Sequence, residues 1–103
     1  MANQVTPTPY FLSRVKRLKR KFLSLDDSLL SLEKSLVQNP GIGESYGANI
    51  YKIRVADPSK GKGKSGGFRV ITYLVEETKE SCEIFLITIF DKSEEATIKK
   101  ETL

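Results

Sequence analysis

Ten residues, KGKGKSGGFR (Lys60 to Arg69), hold four cations and four glycines and lead straight into the apolar run VITYLV. Glycines let a backbone approach a ligand closely, and ammonium and guanidinium groups bind phosphate oxygens. Two kinds of phosphate chemistry use such material. A nucleotide-binding P-loop needs Gly-x-x-x-x-Gly-Lys-Ser/Thr, followed by a helix whose N-terminal amides face the anion. Here Gly63, Lys64 and Ser65 would put the first glycine at Pro58, and a β pattern begins at Phe68 where that helix should start. The P-loop reading fails. The other chemistry is electrostatic, with fixed cations gripping a polyanion. For the loop taken by itself, a solvated run of lysines that serves solubility is an equal alternative.

The flanking residues tip the balance. In IYKIRV, Tyr51, Ile53 and Val55 alternate with Ile50, Lys52 and Arg54, so a strand here is apolar beneath and cationic above. In FRVITYLV, Phe68, Val70, Thr72 and Leu74 share one face, and Arg69, Ile71 and Tyr73 share the other. If the two strands pair across the loop, Lys52, Arg54 and Arg69 converge with Lys60, Lys62 and Lys64 beside one sheet face. Gathering like charges costs repulsion that a polyphosphate would relieve. Tyr73 shares the face of Arg69 and offers a ring for base stacking, although packing is the commoner use of such a ring.

A second cluster, RVKRLKRK (Arg14 to Lys21), carries six cations and no anion. The two clusters hold 12 of the 17 basic residues in a chain of net charge +4, a segregation that suits a polyanionic or acidic partner. There is no histidine, which removes the commonest metal ligand and the commonest general base. The one cysteine, Cys82, excludes an internal disulfide, and its place in an apolar run predicts a buried small hydrophobe. No signal-peptide core and no membrane-length apolar run is present, so a cytoplasmic protein without membrane contact is expected.

At 103 residues the chain fits a single domain, residues 1–103. Thr8 and Pro9 predict an N-cap and first helical position, and Phe11, Val15, Leu18 and Phe22 form one apolar stripe behind them. Ser24 predicts a second cap, with Leu25, Leu29, Leu32 and Leu36 as the next stripe. Pro40 disfavours helix at Asn39 and ends it. After GIGESYG come the two alternating strands, the polar connection EETKES and a third strand, CEIFLITIF, apolar enough to be covered on both faces. Val5 is placed to join a short edge strand. Ser93 predicts the cap of a short C-terminal helix with acids in its first turn and lysines in its last. The expectation is an α+β domain, two N-terminal helices on an antiparallel twisted sheet of about four strands.

YKIRVA…GKGKSGGFRVITY followed by FLITIFDKSEE resembles the RelE/HigB branch of the RelE/ParE superfamily, the toxic halves of bacterial type II toxin–antitoxin pairs. The likeness runs from about Tyr10 to Ile98 and includes the basic first helix and the NPGIG link. It implies a microbial RNase-like fold and a metal-independent, cofactor-free endoribonuclease that cuts mRNA on the ribosome. It also implies silencing by a cognate antitoxin of the HigA or RelB kind. Lys52 matches a family lysine, Arg54 stands at a basic position, Arg69 matches an arginine after an aromatic, and Lys92 matches a lysine closing the last strand. Ser93 stands where some relatives carry arginine, and TIKK where they carry a tyrosine, so the division of catalytic labour differs here.

Cleaving RNA through its own 2′-hydroxyl requires a base, stabilisation of the phosphorane and assistance to the leaving 5′-oxygen. Without histidine or metal, fixed cations must supply the stabilisation. Arg69 is expected to hold the scissile phosphate with Arg54 and Lys92 bracketing it. Lys52, or Lys64 from the loop, serves as acid or base only if nearby positive charge lowers its pKa. Lys60, Lys62, Lys64 and Tyr73, with Arg14, Arg17 and Lys21 of the first helix, are the expected RNA contacts. The helix cations could instead meet an acidic antitoxin or simply be solvated. The competing functions are a ParE-like inhibitor of DNA gyrase and a non-catalytic RNA-binding module.

Overall fold

The computed structural model describes residues 3–56, 67–78 and 80–92. The elements run β1 (Gln4–Pro7), α1 (Pro9–Lys19), α2 (Leu25–Gln38), β2 (Glu44–Ser45), β3 (Ile50–Val55), β4 (Phe68–Glu76) and β5 (Cys82–Asp91). The predicted C-terminal helix lies outside the described residues. No described helix is long and apolar enough to cross a membrane.

The start of α1 follows from two residues. Pro9 occupies the first turn, where its missing N–H costs nothing, and the Thr8 hydroxyl accepts from the Phe11 N–H at 3.2 Å. The same hydroxyl donates toward the carbonyls of Leu86 and Ile87 at 2.9 and 3.2 Å, so one side chain caps the helix and pins it to β5. Ser24 stands at the N-cap of α2 but makes no side-chain capping bond, and Asp26 and Asp27 in the first turn complement the dipole instead. Asn39 leaves the helix in an extended conformation (φ −143°, ψ 86°) ahead of Pro40.

The sheet has five strands in the order β1-β5-β4-β3-β2. It therefore exceeds the expected four, and it is mixed, because β1 pairs parallel to β5 while every other pairing is antiparallel. A parallel edge is possible because the two helices and three strands between β1 and β5 supply the long crossover that such a pairing needs. β2 has only two residues, too few to show an alternating pattern in sequence. Between Ile71 and Thr72 the β4–β5 register slips: Ile71 faces Thr88 but Thr72 faces Leu86, leaving Ile87 as a bulge residue. The carbonyls disturbed there are those that take the Thr8 hydroxyl.

One face of the sheet carries the helices. Phe11 and Val15 of α1 and Leu25, Leu32 and Leu36 of α2 pack on Ile53, Val55, Phe68, Val70, Ile84, Leu86 and Ile89. Phe22, just past α1, meets Phe68 edge-on with ring centroids 5.1 Å apart. The expected apolar faces of both helices and both alternating strands are thus the ones that pack against each other. Cys82 departs from expectation: at the start of β5 it is half-buried, because the strand there runs beyond the helices that cover its middle.

Two positions test this packing. The fully buried Thr72 hydroxyl has no hydrogen-bond partner among the described residues. Thr72→Val keeps the shape and removes the stranded polar group, so it should stabilise the fold by about 1 kcal/mol and raise the Tm by roughly 5 °C in thermal unfolding. Gly67 backs directly onto β3: a Cβ there would lie 2.1 Å from the Val55 carbonyl oxygen. Gly67→Ala must force the two backbones apart and should lower the Tm sharply, as losses above about 2 kcal/mol do in domains of this size.

Candidate nucleic-acid interface

The face turned away from the helices is built by the register of three strands. Ile50, Lys52 and Arg54 of β3 stand opposite Tyr73, Ile71 and Arg69 of β4. Ile71 and Arg69 in turn stand opposite Thr88 and Phe90 of β5, and Tyr73 opposite Phe85. Directly opposed residues of an antiparallel pair share a face, so these side chains form successive rows across the sheet. Ile71 and Phe90 are buried but stand outside the helix-side cluster, consistent with their place on the second face.

The rows differ in chemistry. At one end Arg54 and Arg69 are cross-strand neighbours, with Phe90 beside Arg69. Lys92 follows β5 here, and its N–H donates to the Gly67 carbonyl at 3.1 Å, extending the β4–β5 pairing past Phe68. In the middle row Lys52 lies between Ile71 on β4 and Glu44 on β2. Its ammonium sits 5.3 Å from the centroid of the Tyr46 ring. At the far end are Ile50, Tyr73 and Phe85.

The four residues expected to be catalytic are therefore brought to one side of the sheet and toward one end, but at different depths. Arg54 and Lys92 are exposed, whereas Lys52 and Arg69 are 7% and 2% exposed. The Arg69 guanidinium donates to the Phe68 carbonyl at 3.3 Å. Tyr73 is exposed on the same face, as the alternation predicts. Lys60, Lys62 and Lys64 lie outside the described residues. Among the described residues, no three His, Cys, Asp or Glu side chains are grouped to hold a metal ion.

The basic helix lies on the opposite side of the sheet, and its cations divide. Arg17 is exposed. Lys21 is exposed and stands 5.5 Å from the Phe22 ring centroid, while Lys19 pairs with Asp26 at 3.0 Å. Arg14 is half-buried and its Nε donates to the Ile89 carbonyl at 3.0 Å, tying α1 to β5. The signal for this was in the sequence: Arg14 lies three residues after Phe11 and four before Leu18, within the apolar stripe.

Tyr46 is the residue that sequence reasoning passed over. Its N–H donates to the Ile50 carbonyl at 2.8 Å, which continues the β2–β3 register by one residue and aligns Tyr46 with Ile50. The turn that returns it there runs through Gly47, Ala48 and Asn49, all left-handed, with φ of 82°, 51° and 65°. Glycine and asparagine adopt that region readily, and Ala48 adopts it at a cost.

Comparison with known proteins agrees with this architecture. The solved structure of the E. coli toxin RelE, a doubly substituted variant in the free state, aligns over 98% of this chain and 94% of its own, with a TM-score of 0.61 and 16% identity. At that identity the likeness establishes the fold. A family profile described as the RelE toxin of the RelE / RelB toxin-antitoxin system matches residues 11–103, which takes in α1 from Phe11 onward, α2, β2 to β5 and every cation discussed above. The chain accordingly belongs to the RelE toxin family, the toxin half of a type II toxin–antitoxin pair whose other half is an antitoxin protein.

Proposed function

We propose that this toxin is a metal-independent endoribonuclease that cuts mRNA on the translating ribosome. The observation that carries the reading is the direct opposition of Arg54 and Arg69, with Lys52 on the same face and Lys92 at the same end. Like charges directly opposite one another destabilise a sheet, and a phosphate lodged against them converts that penalty into binding.

Burial sets the division of labour. Arg54 and Lys92, being exposed, meet the scissile phosphate and neutralise the charge that grows on its oxygens as the 2′-hydroxyl attacks. Arg69, beneath the surface, supports Arg54 from the neighbouring strand and adds to the local potential. Lys52, buried in the row next to Arg54 and Arg69 and held against Tyr46, is the group best placed to exchange a proton with the reacting oxygens. Lys60, Lys62 and Lys64 serve as RNA contacts from the segment between β3 and β4. On the far side of the sheet, Arg17 and Lys21 present positive charge for ribosomal RNA, while Arg14 contributes through its tie to the sheet. The antitoxin is a HigA- or RelB-like protein, and the site of action is the cytoplasm.

Brief induction in a bacterial host, followed by mapping of transcript 5′ ends, tests the reading. The expected result is new ends at codon boundaries in translated messages. A DNA damage response without such ends would point to gyrase inhibition, and the absence of any phenotype would point to simple RNA binding. Arg54→Ala should reduce cleavage by about a hundredfold or more, the scale for loss of one transition-state charge partner, with the Tm unchanged. Arg69→Ala should reduce cleavage and also lower the Tm, because it empties a buried position. Full toxicity in both variants would defeat the assignment.

A further inference from the structure

The end of the cationic face remote from Arg54 and Arg69 has a different composition, and it is the part for which the charge argument gives no role. Tyr46, just past β2, lies beside Ile50 of β3 and Tyr73 of β4. The two tyrosines are 40% and 38% exposed, whereas Lys52 and Ile71 in the next row are buried. Ile50 between them is half-buried and forms an aliphatic floor. Rows two residues apart along a strand are about 6.6 Å apart, so this one lies about 13 Å from the arginine row. Nucleotides two steps apart in one extended strand can occupy both. Lys52 fills the row between, with its ammonium against the Tyr46 ring.

We propose that Tyr46 and Tyr73, flanking Ile50, form a base-stacking subsite for single-stranded RNA whose backbone is held by Arg54. The inference rests on the ribonuclease reading for its choice of RNA. Every base has a π-face, so such a platform grips nucleotides without regard to sequence. The cation over the Tyr46 ring strengthens the arrangement. It fixes the ring plane and places positive charge beside the stacked base, where the next phosphate passes. The left-handed turn through Gly47, Ala48 and Asn49 brings Tyr46 back level with Ile50 and Tyr73. Because the subsite is separate from the arginine row, it governs how firmly the strand is held, while the arginines govern whether it is cut.

The test is a titration of the full chain at low ionic strength with a fluorescent oligoribonucleotide, 2′-O-methylated so that it cannot be cut. A matched strand lacks the bases at its central positions. Tyr46→Leu and Tyr73→Leu should each weaken binding of the base-bearing strand about tenfold and leave the base-free strand unaffected, while Tyr46→Phe binds both as the parent does. The salt dependence of binding should be the same in all of them, since no phosphate contact is lost. Three results would overturn the subsite: unchanged affinity in both leucine variants, equal weakening of the two strands (which would make Tyr46 only a prop for Lys52), or no binding by the parent chain. The ribonuclease reading fails separately, by the absence of cut transcripts in cells, whatever the titration gives.

Discussion

The pairing of β3 with β4 sets everything else in place. Six residue pairs, from Ile50 with Tyr73 to Val55 with Phe68, decide which side chains meet the helices and which do not. A slip of one residue would turn Lys52 and Arg54 into the leucine-lined layer and expose Ile53 and Val55. The hydrophobic face enforces the register, since burying Val55, Phe68 and Val70 against Phe22 and the leucines of α2 is possible in only one alignment. The cations on the other face are therefore placed by forces in which they take no part. Gly67 makes the pairing possible at its closed end, where β3 and β4 backbones approach too closely for any side chain.

That separation lets the outer face be arranged for a ligand instead of for stability. Two arginines opposite each other, and a lysine and an arginine almost wholly removed from solvent, are poor choices for a sheet that only has to fold. Helix-side packing tolerates them. The basic helix shows the same economy in reverse: Arg14 is drawn to the sheet backbone, Lys19 to Asp26, and positive charge remains for a partner at Arg17 and Lys21.

Much of this was legible in the chain, for identifiable reasons. Thr8 before Pro9, leucines at helical spacing and Asn39 before Pro40 each act through local sterics, so they read the same in isolation as in the fold. Alternation in IYKIRV and FRVITYLV names the two faces correctly, because each strand is half in contact with helices. Alternation gives a side and not a depth, which is why Arg69 reads as a surface residue and is buried. β2 and the place of Tyr46 escape a sequence reading because a two-residue strand has no period, and its return depends on backbone angles that Ala48 does not advertise. The parallel pairing of β1 is invisible for a different reason: it joins residues far apart in the chain, as in the bond from the Cys82 N–H to the Asn3 side chain.

That last pairing has a temporal side. A sheet whose first-made strand docks beside its last-made strand cannot be completed while synthesis is under way, and contacts of such long sequence separation also form slowly. During translation the nascent chain holds its helices and β3 with no β5 to receive β1, the Thr8 hydroxyl or the Arg14 guanidinium. Assembly thus waits until Asp91 has been made and has cleared the exit tunnel. A toxin built this way is kept unfinished for as long as the ribosome is still producing it.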